Sequence, residues 1–224
     1  MQLELDHVFI CVAPQAPEAE VLKAFGLKQG RGRIHHGQGS ANVCFFFHNA
    51  YLELLWLNDP NEIQSPVVQP TGLWERCRWK ETQACPFGIS FRTATLASQL
   101  PFPTWDYHAP FLPEGAAIPI ITKQNNLAEP LIFVWTGTQK PANYPPDKRQ
   151  PLDHQPPFKE MTAVRVCLPG EQNLSAEVTK LIEEGLINFY FGFGDRYQIE
   201  LEFDHAKEGK HHSFDSTLPL VIKW

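Results

Sequence analysis

Apolar and polar positions along the chain alternate between a period of two and a period near 3.6. In residues 3–12, Leu3, Leu5, His7, Phe9 and Cys11 share one face and Val8, Ile10 and Val12 the other. A run apolar on both faces predicts a strand covered on both sides, with His7 embedded in it. Residues 18–27 predict a short helix: Pro17 precedes it, Val21, Leu22 and Phe25 form its stripe, and Gly26 stops it. Residues 30–40 carry Gly30, Gly32, Gly37 and Gly39 and read as turn-rich. Strands follow at 41–47 and 51–57, joined by His48-Asn49-Ala50. A second series begins with a helix at 73–80, a strand at 86–92, a short helix at 95–100 with Thr95 as its cap, and strands at 118–123 and 131–135. A third has a strand at 162–168 and a helix capped by Asn173 with Leu174, Val178, Leu181 and Ile182 in line. Strands at 186–191, 197–203 and 218–224 complete it, with a hairpin turn at 192–195.

Strand, helix, then strands is thus a recurring order, a βαβββ unit. The closing strands also look alike: Tyr51-Leu52-Glu53-Leu54-Leu55-Trp56, Pro130-Leu131-Ile132-Phe133-Val134-Trp135 and Pro219-Leu220-Val221-Ile222-Lys223-Trp224. The step that carries Trp56 onto Trp135 carries His7 onto Pro86 and Glu53 onto Ile132. The organisation expected is two units at about 1–58 and 84–136 forming a region 1–136, a proline-rich linker or strap at 137–159, and a third βαβββ-like unit at 160–224.

Composition narrows the classes. The 224 residues carry a formal net charge of −6, with no Lys or Arg run, which argues against a nucleic-acid partner. Apolar stretches such as 43–47 are far too short to span a bilayer, so no membrane partner is expected. The acidic, alternating start Met1-Gln2-Leu3-Glu4-Leu5-Asp6-His7 does not read as a signal peptide, and a cytoplasmic location is expected. Five cysteines without a CxxC spacing read as reduced thiols rather than a zinc ribbon. Twenty prolines disfavour a helix bundle.

Three motifs stand in order: Asp6-His7-Val8; His36-Gly37-Gln38-Gly39-Ser40-Ala41-Asn42; and Tyr51-Leu52-Glu53-Leu54, with Asp153-His154-Gln155-Pro156 further on. Together they resemble the glyoxalase-like domain branch of the glyoxalase/bleomycin-resistance/dioxygenase superfamily, also called vicinal oxygen chelate. The resemblance implies an α+β fold of repeated βαβββ units, with curled mixed sheets around a cleft and helices outside. It also implies one divalent metal (zinc, iron, manganese or nickel) acting as a Lewis acid, held by His7 and Glu53, with Glu53 serving as a catalytic base as well. The comparable positions of the later units, Pro86, Ile132, Thr162 and Val221, do not supply the rest of a ligand set. A third ligand is therefore sought among His36, His108 and His154, with His154 on a strap able to fold over the cleft.

Each of these residues also has a plainer reading. His7 and Glu53 can form a buried hydrogen-bonded pair without metal, and they are expected to meet on one cleft face. His36 and Asn42 are candidates for the substrate-binding cleft mouth or for simple turn bonding. Arg92 and Arg165 are candidates for binding a substrate carboxylate, or for ion pairs within the protein. The segment 37–39 lacks the strand-to-helix setting of a dinucleotide fingerprint. Two functions follow: a metal-assisted isomerase, lyase or dioxygenase acting on a small oxygenated molecule, and a metal-free small-molecule-binding protein of the bleomycin-resistance type. The sequence does not fix an oligomeric state.

Overall fold

The computed structural model describes residues 3–93, 100, 102–137, 139–170, 173–183 and 189–224. Its strands form two mixed sheets. The large one draws on β1 (Glu4–Cys11), β2 (Gly32–His35), β3 (Ser40–Phe46), β4 (Tyr51–Leu57), β5 (Phe87–Thr93), β6 (Trp105–Tyr107), β7 (Ile118–Ile120) and β8 (Leu131–Thr136). Its strand order is β2-β3-β4-β1-β5-β8-β7-β6. The order is symmetric about the antiparallel β1–β5 seam. On either side the unit's last strand returns parallel to its first, β4 beside β1 and β8 beside β5. This is the expected α+β architecture, a curled half-barrel of mixed strands with few helices.

The second sheet contains β9 (Met161–Pro169), β10 (Phe189–Gly194), β11 (Gln198–Phe203), β12 (His211–Ser213) and β13 (Leu220–Lys223), in the order β10-β9-β11-β13-β12. Here the strand parallel to the first is β10, while the last strand, β13, joins β11. The third segment therefore keeps the order of elements but pairs them differently. The hairpin expected at 192–195 is absent: residues 192–194 belong to β10, and the chain crosses β9 to reach β11.

The helices are short. α1 (Ala19–Phe25) and α5 (Ala176–Glu183) add Leu22, Val178 and Leu181 to the core between the sheets. That core takes Val8, Ile10, Leu52, Leu54, Ile89 and Ile132 from one face of the large sheet and Val166, Ile199, Leu201 and Ile222 from the small one. The alternation read in β1 and β4 thus faces two apolar surroundings. A second cluster, containing Phe9, Leu55, Ile118 and Leu131, lies on the opposite face. With it pack Ile63 of α2 (Pro60–Ile63), Leu73 and Cys77 of α3 (Leu73–Cys77) and Trp79 of α4 (Trp79–Thr82). The single helix expected at 73–80 is two, broken at Arg78, whose φ −111° and ψ 27° are not helical. The helix expected at 95–100 lies outside the described residues except for its last position.

Residues 139–159 run as a strap between β8 and β9. It is tied to α1's end where Gln155 N–H donates to Gly26 O. Gly26 ends α1 at φ +111°, and a side chain there would meet the Gln155 carbonyl, so glycine serves both the turn and the close approach. No helix among the described residues is long and apolar enough to cross a membrane.

Candidate functional site

A cleft of about 660 Å³ opens on the face of the large sheet opposite the inter-sheet core. On β1 and β4 the inward positions recur every two residues: His7 and Phe9 on β1, Tyr51, Glu53 and Leu55 on β4. Strict alternation would turn Asp6 away from His7. The β1–β5 register slips between Leu5 and His7, and this bulge brings both Asp6 and His7 to the cleft.

The result is a hydrogen-bonded floor. Asp6 Oδ2 accepts from His7 Nδ1 at 2.7 Å, and Asp6 Oδ1 accepts from Arg92 Nη1 at 3.2 Å. An ionised carboxylate only accepts, so the proton on this side of His7 sits on Nδ1, and Nε2 faces Glu53 Oε2 at 3.6 Å. Glu53 Oε1 accepts from Asn42 Nδ2 at 2.6 Å. Asn42 Oδ1 accepts from the Arg33 backbone N–H at 2.9 Å, which fixes the orientation of the amide. The His7 ring stacks on Tyr51 with centroids 4.4 Å apart and meets the edge of Phe133 at 5.4 Å. His7, Asn42 and Glu53 are all buried.

A second chain of bonds lines one wall. Tyr107 Oη donates to Gln38 Oε1 at 2.8 Å, Gln38 Nε2 donates to Ser40 Oγ at 2.7 Å, and Ser40 Oγ lies 2.8 Å from His35 Nδ1. Burial lowers the His35 pKa to about 4, with the Glu53 charge opposing, so the ring is neutral near pH 7. Burial, then the Glu53 charge, pushes the Cys44 thiol far up, which leaves this cleft cysteine protonated rather than nucleophilic.

The structure thus brings His7, Asn42 and Glu53 together and separates the other candidates from them. His36 is exposed in the turn after β2, while its neighbour His35 faces the cleft. His108 is exposed, with Nδ1 3.3 Å from Ala116 O. His154 is buried outside the cleft lining: Nε2 donates to Phe46 O at 2.6 Å and Nδ1 accepts from Lys28 N–H at 3.0 Å. Both its nitrogens are committed to pinning the strap, and burial lowers its pKa. Arg92 is buried at the seam, donating to Asp6 and to the carbonyls of Leu5, Asn49 and Gln139. Arg165 lies on β9 of the other sheet, 3.6 Å from Glu200.

The donor set does not fit the metal that the resemblance implies. His7 Nε2 and Glu53 Oε2 converge, but no group of three His, Cys, Asp or Glu side chains among the described residues is placed to hold an ion. Catalytic zinc sites commonly use three protein ligands. Across from the pair the wall is Leu131, Phe133 and Ile118.

Two halves with the same strand order thus meet at their first strands around this cleft. Residues 5–100, somewhat less than half of the chain, are similar to the glyoxalase-like domain family. Among solved structures, a hypothetical protein from Staphylococcus aureus is similar over 100% of this chain and 99% of its own, with 12% identity and a TM-score of 0.56. That likeness bears on the fold alone. A mutant of 4-hydroxymandelate synthase from Streptomyces coelicolor aligns over 75% of this chain and 47% of its own, with 15% identity and a TM-score of 0.38. The comparison with curated proteins finds no match.

Proposed function

We propose that the protein binds a small organic molecule in this cleft and that Glu53 and His7 transfer a proton on it without a metal, in an isomerisation or elimination. The observation that carries this reading is the convergence of Glu53 Oε2 and His7 Nε2 at 3.6 Å on the floor of an aromatic-walled cleft. Asn42 holds the other oxygen of Glu53, so its free oxygen is the base that faces a ligand. Asp6, anchored by Arg92, keeps the His7 Nδ1 protonated and leaves Nε2 toward the ligand. Phe9, Tyr51, Tyr107 and Phe133 exclude water and offer ring faces to a planar molecule.

The test is solvent deuterium exchange. Small molecules that raise the melting temperature are incubated with the protein in D2O and read by mass spectrometry. The parent incorporates deuterium or converts the ligand, and Glu53→Gln keeps binding while the rate falls by about 10²–10⁴-fold. Binding with neither exchange nor conversion favours the second reading, a metal-free binding protein. The observation behind that alternative is that the floor groups already satisfy one another.

A further inference from the structure

The mouth of the cleft carries positive charge that no carboxylate among the described residues pairs with. Arg33 and His35 point inward from β2, and Arg31, two residues earlier, lines the same cleft. Lys148 of the strap lines it as well. Among the described residues, neither the Arg31 nor the Arg33 guanidinium lies within 4.0 Å of a carboxylate. The contrast with Arg92 is sharp, since that residue lies near both Asp6 and Glu4. Overall composition does not explain the pattern, because the chain's net charge is −6.

Both guanidiniums are held by rings. Arg31 Cζ stands 5.9 Å from the Phe46 centroid and 5.7 Å from that of Tyr144, and Arg33 Cζ stands 5.1 Å from that of Phe111. A guanidinium with a ring on its face keeps its in-plane N–H groups for an acceptor, and two such groups suit an oxyanion. The cleft's own carboxylates sit elsewhere: Asp6 is taken by Arg92 and His7, and Glu53 by Asn42. An anionic head at the floor would face Glu53, whereas at the mouth it meets two unneutralised cations. The cleft is polarised from end to end.

We infer that Arg31 and Arg33 form an oxyanion subsite, and that the cleft takes a planar aromatic acid with its carboxylate or phosphate at the mouth and its neutral, reacting end toward His7 and Glu53. This rests on reading the cleft as a small-molecule site. The geometry also explains Gly32 between the two arginines: a side chain there would run into the Asn42 carbonyl of β3, so only glycine lets β2 lie close enough to present both neighbours.

Three matched probes test it by calorimetry: 1-naphthoate, 1-naphthyl phosphate and the neutral 1-naphthamide. The expected result is that one or both anions bind about 10- to 100-fold more tightly than the amide. That preference shrinks as salt is raised. The tighter of the two anions names the oxyanion. In Arg31→Gln/Arg33→Gln the preference for acid over amide collapses to within about twofold, while Lys123→Gln, a charge removed outside the cleft, retains it. Both arginines are exposed, so the double variant is expected to fold, which circular dichroism and melting check. Equal affinity for acid and amide, or a preference that survives the double variant, overturns the oxyanion subsite and leaves the small-molecule cleft standing. Binding of none of the three probes at millimolar concentration overturns both.

Discussion

The two halves of the large sheet share one strand order and present different chemistry to the same cleft. The half built on β1 supplies Asp6, His7, Asn42 and Glu53. In the half built on β5, Ser90 stands opposite His7 in the β1–β5 register, and β8 contributes Leu131 and Phe133. The shared topology therefore provides a frame, and the frame does not dictate what it carries. One half is polar and hydrogen-bonded. The other, apart from the Tyr107 hydroxyl at its outer strand, faces the His7–Glu53 pair with apolar side chains that lower the local dielectric and strengthen the interactions there.

The halves nonetheless depend on each other, and Arg92 is where that dependence is largest. It belongs to β5 but donates to Asp6, Leu5 O and Asn49 O of the first half as well as to Gln139 O. Replacing Arg92 with Met keeps most of the volume and leaves Asp6 buried without its cation. A loss of about 3–5 kcal/mol is expected, read by urea denaturation. A loss below about 1 kcal/mol would show that the halves are held by apolar packing alone.

The same contrast governs what the sequence made legible. The large sheet's fold followed from the recurring order of elements, which put His7 on the first strand and Glu53 on the last strand of one unit; the family resemblance, not the strand period, turned both toward one cleft. Asp6 was hidden because a bulge breaks the alternation that sequence reading relies on. His35 was hidden behind His36 because a run with four glycines reads as turn, although residues 32–35 form a strand with a largely exposed face. The same run concealed Arg31 and Arg33, whose spacing of two becomes informative only once that strand is known. Arg92, open to reading as a substrate contact or as an internal ion pair, is a buried seam residue paired with Asp6, and His154 spends both nitrogens on the strap. The pairing of the third segment was illegible for a different reason: whether β10 or β13 lies beside β9 depends on contacts between distant segments, not on local pattern.

Acid separates the halves by a smaller amount. β2, the outer strand of the first half, presents His35, whereas β6, its counterpart in the second, presents Tyr107. Burial pushes the Tyr107 hydroxyl up, so it stays protonated throughout. Burial moves His35 the other way, to about 4 from an ordinary 6.5. Between those values the unfolded chain binds the extra proton and the folded one does not. Stability is thus fully present above about pH 6.5 and is lost as pH falls toward 4. About 2–3 kcal/mol should disappear between pH 7 and pH 4.5. In His35→Asn the acid loss should shrink by most of that amount, leaving a residual slope in the same direction from His154. Parallel urea curves at the two pH values give the answer, and an unchanged loss in the variant would place the acid sensitivity elsewhere.

The smallest effect tests how closely the halves fit at the seam. Gly88 of β5 pairs with Phe9 of β1, and a methyl group on Gly88 would fall within the Phe9 ring. The second half thus gives up a side chain so that the first can lay an aromatic ring along the cleft floor, where it also approaches Phe133 at 6.4 Å. Gly88 adopts an ordinary strand backbone, so Ala would be favoured there by about 0.5–1 kcal/mol if the space were open. Overpacking reverses the sign, and Gly88→Ala is expected to cost about 1–2 kcal/mol net. Phe9→Leu alone loses buried ring surface and costs about 1 kcal/mol. Combined, the smaller side chain makes room for the methyl, and the double variant should be more stable than the sum of the single losses by about 1 kcal/mol or more. Additive losses in this double-mutant cycle would mean that the ring and the strand opposite it do not compete for the same space, and that the seam owes its closeness to backbone pairing rather than to this exchange of a side chain for a ring.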